Sequence, residues 1–136
     1  MTNLQALYAD YAQSPWLDNL RRDWLRNGHL AELIESGVRG VTSNPTIFAT
    51  AIQGEDDYDE QFESLISATT IEGAYWELVI DDIVHALEVL RGVSEESHGR
   101  DGFVSLEVAP ALAHDTEATV RSAQSLHDRI DRKSVV

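Results

Sequence analysis

The sequence predicts an α/β fold on parallel strands, and three observations carry that prediction. Short runs rich in β-formers alternate with longer stretches of helical period; each short run finishes on a polar residue; and no repeat, low-complexity tract or Pro/Gly-rich linker divides the chain. Strand-then-helix alternation argues for parallel strands joined by helical crossovers, as a doubly wound sheet or a (β/α) barrel. At 136 residues, with 43% hydrophobic and 25% charged positions, the chain has the size and apolar content of a single domain spanning 1–136.

Each element has its own signal. Leu4, Leu7, Tyr8 and Tyr11 are spaced for a helix over Asn3 to Ala12, and Pro15 separates it from Trp16-Leu17, the first strand candidate. Arg21 to Arg26 and His29 to Ser36 read as helical pieces around Gly28, with Gly37 suited to a helix C-terminus. Val38 to Val41 is the second strand candidate, and Thr46 to Gln53 returns to helix. Asp57 to Ser67 places Tyr58, Phe62, Leu65 and Ile66 on one face.

Thr69 with Glu72 forms a possible capping box that opens the strongest helix of the chain. Its apolar positions Ile71, Tyr75, Leu78, Val79, Ile83, Ala86, Leu87 and Leu90 keep a helical period, and Gly92 is the expected end. Gly102 to Val108 is the third strand candidate, interrupted by Pro110. Asp115 then caps a helix carrying Val120, Ala123, Leu126 and Ile130.

Composition narrows the function. The formal charge is −14, from 24 acidic against 10 basic residues, so a nucleic-acid backbone is repelled over most of the surface. There are no cysteines, no apolar run approaches the roughly 18 residues of a membrane span, and the N-terminus lacks the apolar core of a signal peptide. A cytoplasmic setting, with neither nucleic acid nor membrane as partner, is expected. The histidines His29, His85, His98, His114 and His127 show no tight ligand spacing, so no metal site is expected, and no nucleotide-binding or serine-hydrolase motif occurs.

The strand candidates point to chemistry. Trp16-Leu17 runs into Asp18, Val38 to Val41 into Asn44, and Phe103 to Leu106 into Glu107. In parallel α/β folds the C-terminal strand ends face the active site, so these side chains are expected to converge there. Polar residues also begin ordinary loops. Glu107 stands out because Leu106, Val108 and Ala109 flank it, where burial of an unpaired carboxylate is costly.

Gly40-Val41-Thr42-Ser43-Asn44-Pro45-Thr46-Ile47-Phe48 resembles the transaldolase signature after the second barrel strand. Trp16-Leu17-Asp18-Asn19 resembles the first strand of that family, and Ser105-Leu106-Glu107-Val108 the strand with its catalytic glutamate. The resemblance implies part of a (β/α)8 TIM barrel, its first three to four βα units. It implies transfer of a dihydroxyacetone unit between sugar phosphates through a lysine Schiff base, as in the pentose phosphate pathway: sedoheptulose 7-phosphate and glyceraldehyde 3-phosphate give erythrose 4-phosphate and fructose 6-phosphate. No cofactor is implied. Asp18 is then the acid/base, Glu107 acts through a water on the imine, and Asn44 with Ser43 binds substrate.

One departure from the family pattern stands out. The only lysine is Lys133, which precedes Ser134-Val135-Val136 instead of ending an apolar strand. It reads as a solvated residue at the structural face, so the Schiff-base lysine is expected to be absent. The sequence is then expected to be a truncated, frameshifted or deliberately expressed front portion, inactive alone and prone to self-association. Two rival readings are a compact Schiff-base aldolase and a non-catalytic interaction module; the helical stretch from Asp56 to Leu90 favours transaldolase over a minimal aldolase.

Overall fold

The sheet has three parallel strands in the order β1 (Trp16–Leu17), β2 (Gly40–Thr42), β3 (Phe103–Ser105). Register is continuous across it: Trp16 pairs with Gly40 and Gly40 with Phe103, while Leu17, Val41 and Val104 form the next row. The structure, a computed structural model, describes residues 1–54 and 56–134.

Seven α-helices surround this sheet among the described residues: α1 (Asn3–Tyr11), α2 (Arg22–Asn27), α3 (His29–Glu35), α4 (Pro45–Gly54), α5 (Asp59–Ile66), α6 (Ile71–Glu96) and α7 (Thr116–Ser134). Side chains alternate across each strand, so one sheet face can be buried while the other stays open. Leu17, Val41, Val104 and Leu106 pack on the helical side against Leu20, Leu30, Phe48, Val79, Ile83 and Leu90. The opposite face carries Trp16, 41% exposed, and Phe103, 49% exposed. A Cβ on Gly40 would lie 2.4 Å from the Trp16 ring, so glycine there lets the indole lie flat on the sheet.

Local chemistry explains where elements stop. Gly37, at φ +117°, donates to Ile34 O at 2.9 Å, and Val38 donates to Leu33 O at 3.1 Å, which together close α3 in a Schellman turn. Val38 is therefore spent on ending a helix, and β2 begins at Gly40, two residues later than the apolar run suggests. The long helix also departs from expectation at both ends. Thr70, not Thr69, is its N-cap, accepting from Gly73 N at 3.0 Å, and Ile71 is 74% exposed. Gly92 does not end it, because Leu90 and Val93 keep the buried stripe running. Termination comes at His98-Gly99, where His98 adopts φ +54° and Gly99 N bonds Ser94 O at 2.8 Å.

The third strand is shorter than Gly102 to Val108, covering Phe103 to Ser105 alone. Gly102 is required at its start. It has φ +84°, a Cβ there would meet the Ser94 backbone nitrogen at 2.8 Å, and its N–H donates to Arg39 O at 2.9 Å. At the other end of the domain Asp115 caps α7 through Ala118 N at 2.9 Å. Leu126 is the buried residue of that helix's apolar stripe, whereas Val120 is 50% exposed. Lys133 falls within the span of α7; its side chain, Val135 and Val136 lie outside the described residues.

Two buried ion pairs, which the apolar pattern does not announce, tie the layers together. Arg22 Nε donates to Asp82 Oδ1 at 2.7 Å and Arg22 Nη1 to Gln61 Oε1 at 2.7 Å, while Tyr58 Oη donates to Asp82 Oδ2 at 2.7 Å. Arg39 Nε donates to Asp101 Oδ2 at 2.8 Å, and Ser14 Oγ to Asp101 Oδ1 at 2.6 Å. Burial alone would raise the Asp101 carboxyl, but the hydrogen bonds from Ser14 and Arg39 outweigh it and hold the group below the ordinary value of 3.8.

A depressed folded-state pKa means that the unfolded chain binds the proton more readily. Asp101 thus contributes stability above the ordinary carboxylate value that is lost as pH falls through it. The gap in urea midpoint between wild type and Asp101→Asn is therefore expected to be widest near neutral pH and to narrow on acidification below about pH 4. A gap constant from neutral to acid pH would show that the ionised carboxylate is not what stabilises.

Candidate functional site

Chain direction brings the expected residues to one end of the sheet. Continuing the observed register places Asp18 level with Thr42 and Ser105, and Asn44 level with Glu107 two residues farther on. Thr42 Oγ1 donates to Asp18 Oδ1 at 2.5 Å, which fixes one carboxylate oxygen and leaves the exposed acid its second. Thr42 lies within the quoted Gly40-to-Phe48 string, yet no separate signal marks its hydroxyl as Asp18's partner.

Ser43 and Asn44 owe their positions to the strand-to-helix turn. Ser43 is 2% exposed; its N–H and its hydroxyl both donate to Ser105 O, at 3.1 and 2.5 Å, which splices the end of β2 to β3. Asn44 Oδ1 accepts from Ile47 N at 2.9 Å, so Asn44 caps α4 and Pro45 occupies the first helical position, where its missing N–H is harmless. The Ser-Asn-Pro-Thr order is thus a local folding signal as well as a candidate site. With the Asn44 oxygen engaged by the helix, its NH₂ is the group left for another molecule.

Glu107 corrects the expectation drawn from its apolar neighbours. It is exposed, and it makes no hydrogen bond or ion pair among the described residues. Half-buried Leu106 and Val108 turn to the helical side while Phe103, Ser105 and Glu107 face away from it, as a two-residue period requires. The apolar flank marks the opposite face and does not bury the carboxylate.

A cavity of about 390 Å³ opens beside Asp18, lined also by Asn19, Arg21, Ile47, Thr50 and Gly54. Arg21 Nε there bonds Asp23 Oδ1 at 3.2 Å. The arrangement therefore offers an anchored carboxylate, a second carboxylate on the same open face and an amide donor between them. Such a set can transfer protons and hold hydroxyl groups. Among the described residues no three histidine or acidic side chains come together as a metal-holding group, and no helix is long and apolar enough to cross a membrane.

The comparisons with known proteins agree in direction. The family described as transaldolase/fructose-6-phosphate aldolase matches residues 15–136. A transaldolase of Saccharopolyspora erythraea is 47% identical over 137 residues, covering 99% of this chain and 37% of that protein. A transaldolase of Thiobacillus denitrificans is 48% identical over 126 residues, covering 91% of this chain and 35% of its own. For transaldolase 2 of Nostoc punctiforme the identity is 44% over 128 residues, with 93% and 34% covered. The chain thus spans about a third of the length of the relatives it matches. By family match and by near-complete coverage at this identity, the chain belongs to the transaldolase/fructose-6-phosphate aldolase family.

Proposed function

We propose that this chain supplies the first βα units of a (β/α)8 transaldolase barrel and, with them, the proton-handling side of its site. The carrying observation is the Asp18–Thr42 bond at the carboxyl end of a parallel sheet whose inner face is open. The reaction is transfer of a dihydroxyacetone unit from sedoheptulose 7-phosphate to glyceraldehyde 3-phosphate, in the cytoplasm. Asp18 takes and returns the hydroxyl proton as the carbon–carbon bond breaks and forms. Glu107, exposed and without an ion pair among the described residues, works through a water on the imine, and the Asn44 amide hydrogen-bonds the substrate. Ser43 serves substrate binding by holding Asn44 in place.

Imine chemistry needs an amine, and the only lysine, Lys133, falls within the span of α7 and not at the carboxyl end of a strand. We therefore expect the 136-residue chain to be inactive by itself. Incubation with fructose 6-phosphate and sodium borohydride, followed by intact mass, is expected to leave it unmodified while a complete relative gains a three-carbon adduct. An adduct on Lys133 would overturn this assignment and favour a compact Schiff-base aldolase.

The chain alone is also expected to self-associate. The outer strands β1 and β3 each lack a neighbour on one side among the described residues, and Trp16 and Phe103 are exposed. An apolar cleft of about 490 Å³, lined by Val104, Leu106, Leu126 and Ile130, runs along β3. Sedimentation velocity should show oligomers; a monodisperse monomer that melts cooperatively would argue against this expectation.

A further inference from the structure

At the amino end of the strands, opposite Asp18, Asn44 and Glu107, lies a cavity of about 430 Å³ that the proposed reaction does not use. Its lining brings together Ile34 and Glu35 of α3, Arg39 at the entrance to β2, and Val89, Val93 and Glu96 of α6. Arg39 is 9% exposed and only partly satisfied. Nε is bonded to Asp101, the guanidinium stacks at 3.6 Å on the Tyr8 ring, and Nη2 is buried with no acceptor among the described residues. A buried guanidinium nitrogen without an acceptor is costly, and a visiting oxygen would remove the deficit.

The charges around the cavity narrow the visitor. Arg39's own counter-ion, Asp101, is not part of the lining, whereas exposed Glu35 and Glu96 are. A plain anion meets two carboxylates, a plain cation gains nothing from Arg39, and a sugar wastes the aliphatic wall. We propose that this cavity binds an aliphatic α-amino acid as its zwitterion, with the carboxylate on the Nη edge of Arg39, the ammonium near Glu35 and Glu96, and the side chain against Ile34, Val89 and Val93.

Helix α1 can admit it. That helix has no buried residue; it is held by Thr2 Oγ1 donating to Ser36 O, by Gln5 Nε2 donating to Glu35 O at 2.9 Å, and by the Tyr8 stack. Tyr8 stacks on the guanidinium, so displacement of its ring is the step by which the proposed ligand would reach Arg39. The site needs neither a lysine nor the open sheet face, so it stands or falls independently of the transaldolase assignment.

Saturation-transfer NMR on the whole chain tests it with l-leucine, l-leucinamide and isovalerate, whatever the size of the assembly. Leucine should bind, and the analogues lacking carboxylate or ammonium should bind about tenfold or more weakly, as loss of one charged contact implies. Gly92→Leu should weaken the leucine signal about tenfold or more: Gly92 is itself part of the cavity lining, and a Cβ there meets nothing within 4 Å, so a leucine side chain has room to occupy the space the ligand would take. Replacing a glycine inside a helix also raises helix propensity, so this variant folds. Absence of saturation transfer to leucine, equal binding of all three probes, or an undiminished signal in Gly92→Leu would each overturn the proposal.

Discussion

Asp18→Asn, introduced at the matching position of a complete transaldolase relative, is expected to lower kcat by about 10²- to 10⁴-fold, the range that one general acid/base contributes. KM should stay nearly constant. The reason lies in the geometry: Thr42 donates a hydrogen bond to Asp18, and an asparagine oxygen in the same place can still accept it, though as a neutral and weaker acceptor. The substitution therefore preserves side-chain placement and removes only the capacity to take and return a proton. A parallel loss of binding would mean that the side chain holds substrate instead, and near-normal turnover would end its assignment as acid/base. Thr42→Val, which removes the anchor and keeps the carboxylate, should give a smaller loss, since Asp18 then samples orientations that do not reach the substrate.

Asp82→Ala is expected to destabilise the chain by about 3–5 kcal/mol, the range for breaking a buried pair from one side. Against a typical total stability of roughly 5–15 kcal/mol, that is a large share of the whole, and it unfolds much of the population where the total lies at the low end of that range. Arg22 and Asp82 are both at 5% side-chain exposure or less, and Asp82 also accepts from Tyr58, whose ring lies 4.1 Å from the Arg22 guanidinium carbon. The cluster joins α2 to α6 and to the turn before α5. Removing the acid strands a guanidinium that cannot deprotonate.

Arg22→Met should be milder, because its partner has an escape. Burial pushes the Asp82 carboxyl up, against the opposing pull of Arg22 and Tyr58. Without Arg22 the acid can take a proton and remain buried as a neutral donor. The order expected in urea midpoints is wild type, then Arg22→Met, then Asp82→Ala, with Arg22→Met/Asp82→Leu recovering a large part of the loss. An Asp82→Ala midpoint within error of wild type would show that the network contributes no net stability.

The residues determine by themselves that strands and helices alternate, and they mark the helices closely. The period from Leu78 to Leu90 and the Asp115 cap act within a few residues, through backbone geometry and capping hydrogen bonds. Family membership was legible for the same reason, since the Gly40-to-Phe48 string is contiguous. Boundaries set by competition were less legible. Val38 looks like strand until the Schellman closure claims it, and Gly92 looks like a stop until Val93 extends the buried stripe.

What tertiary structure alone decided is which face each side chain meets and which distant partners pair. Glu107 among apolar neighbours becomes an open-face carboxylate only once β3 is laid against α6 and the two-residue period has a direction. The Thr42–Asp18 bond and the buried pairs Arg22–Asp82 and Arg39–Asp101 span 24, 60 and 62 residues. A periodic pattern records the burial of apolar surface, which each residue signals alone; a charge pair is signalled by neither partner until folding brings the two within hydrogen-bond reach.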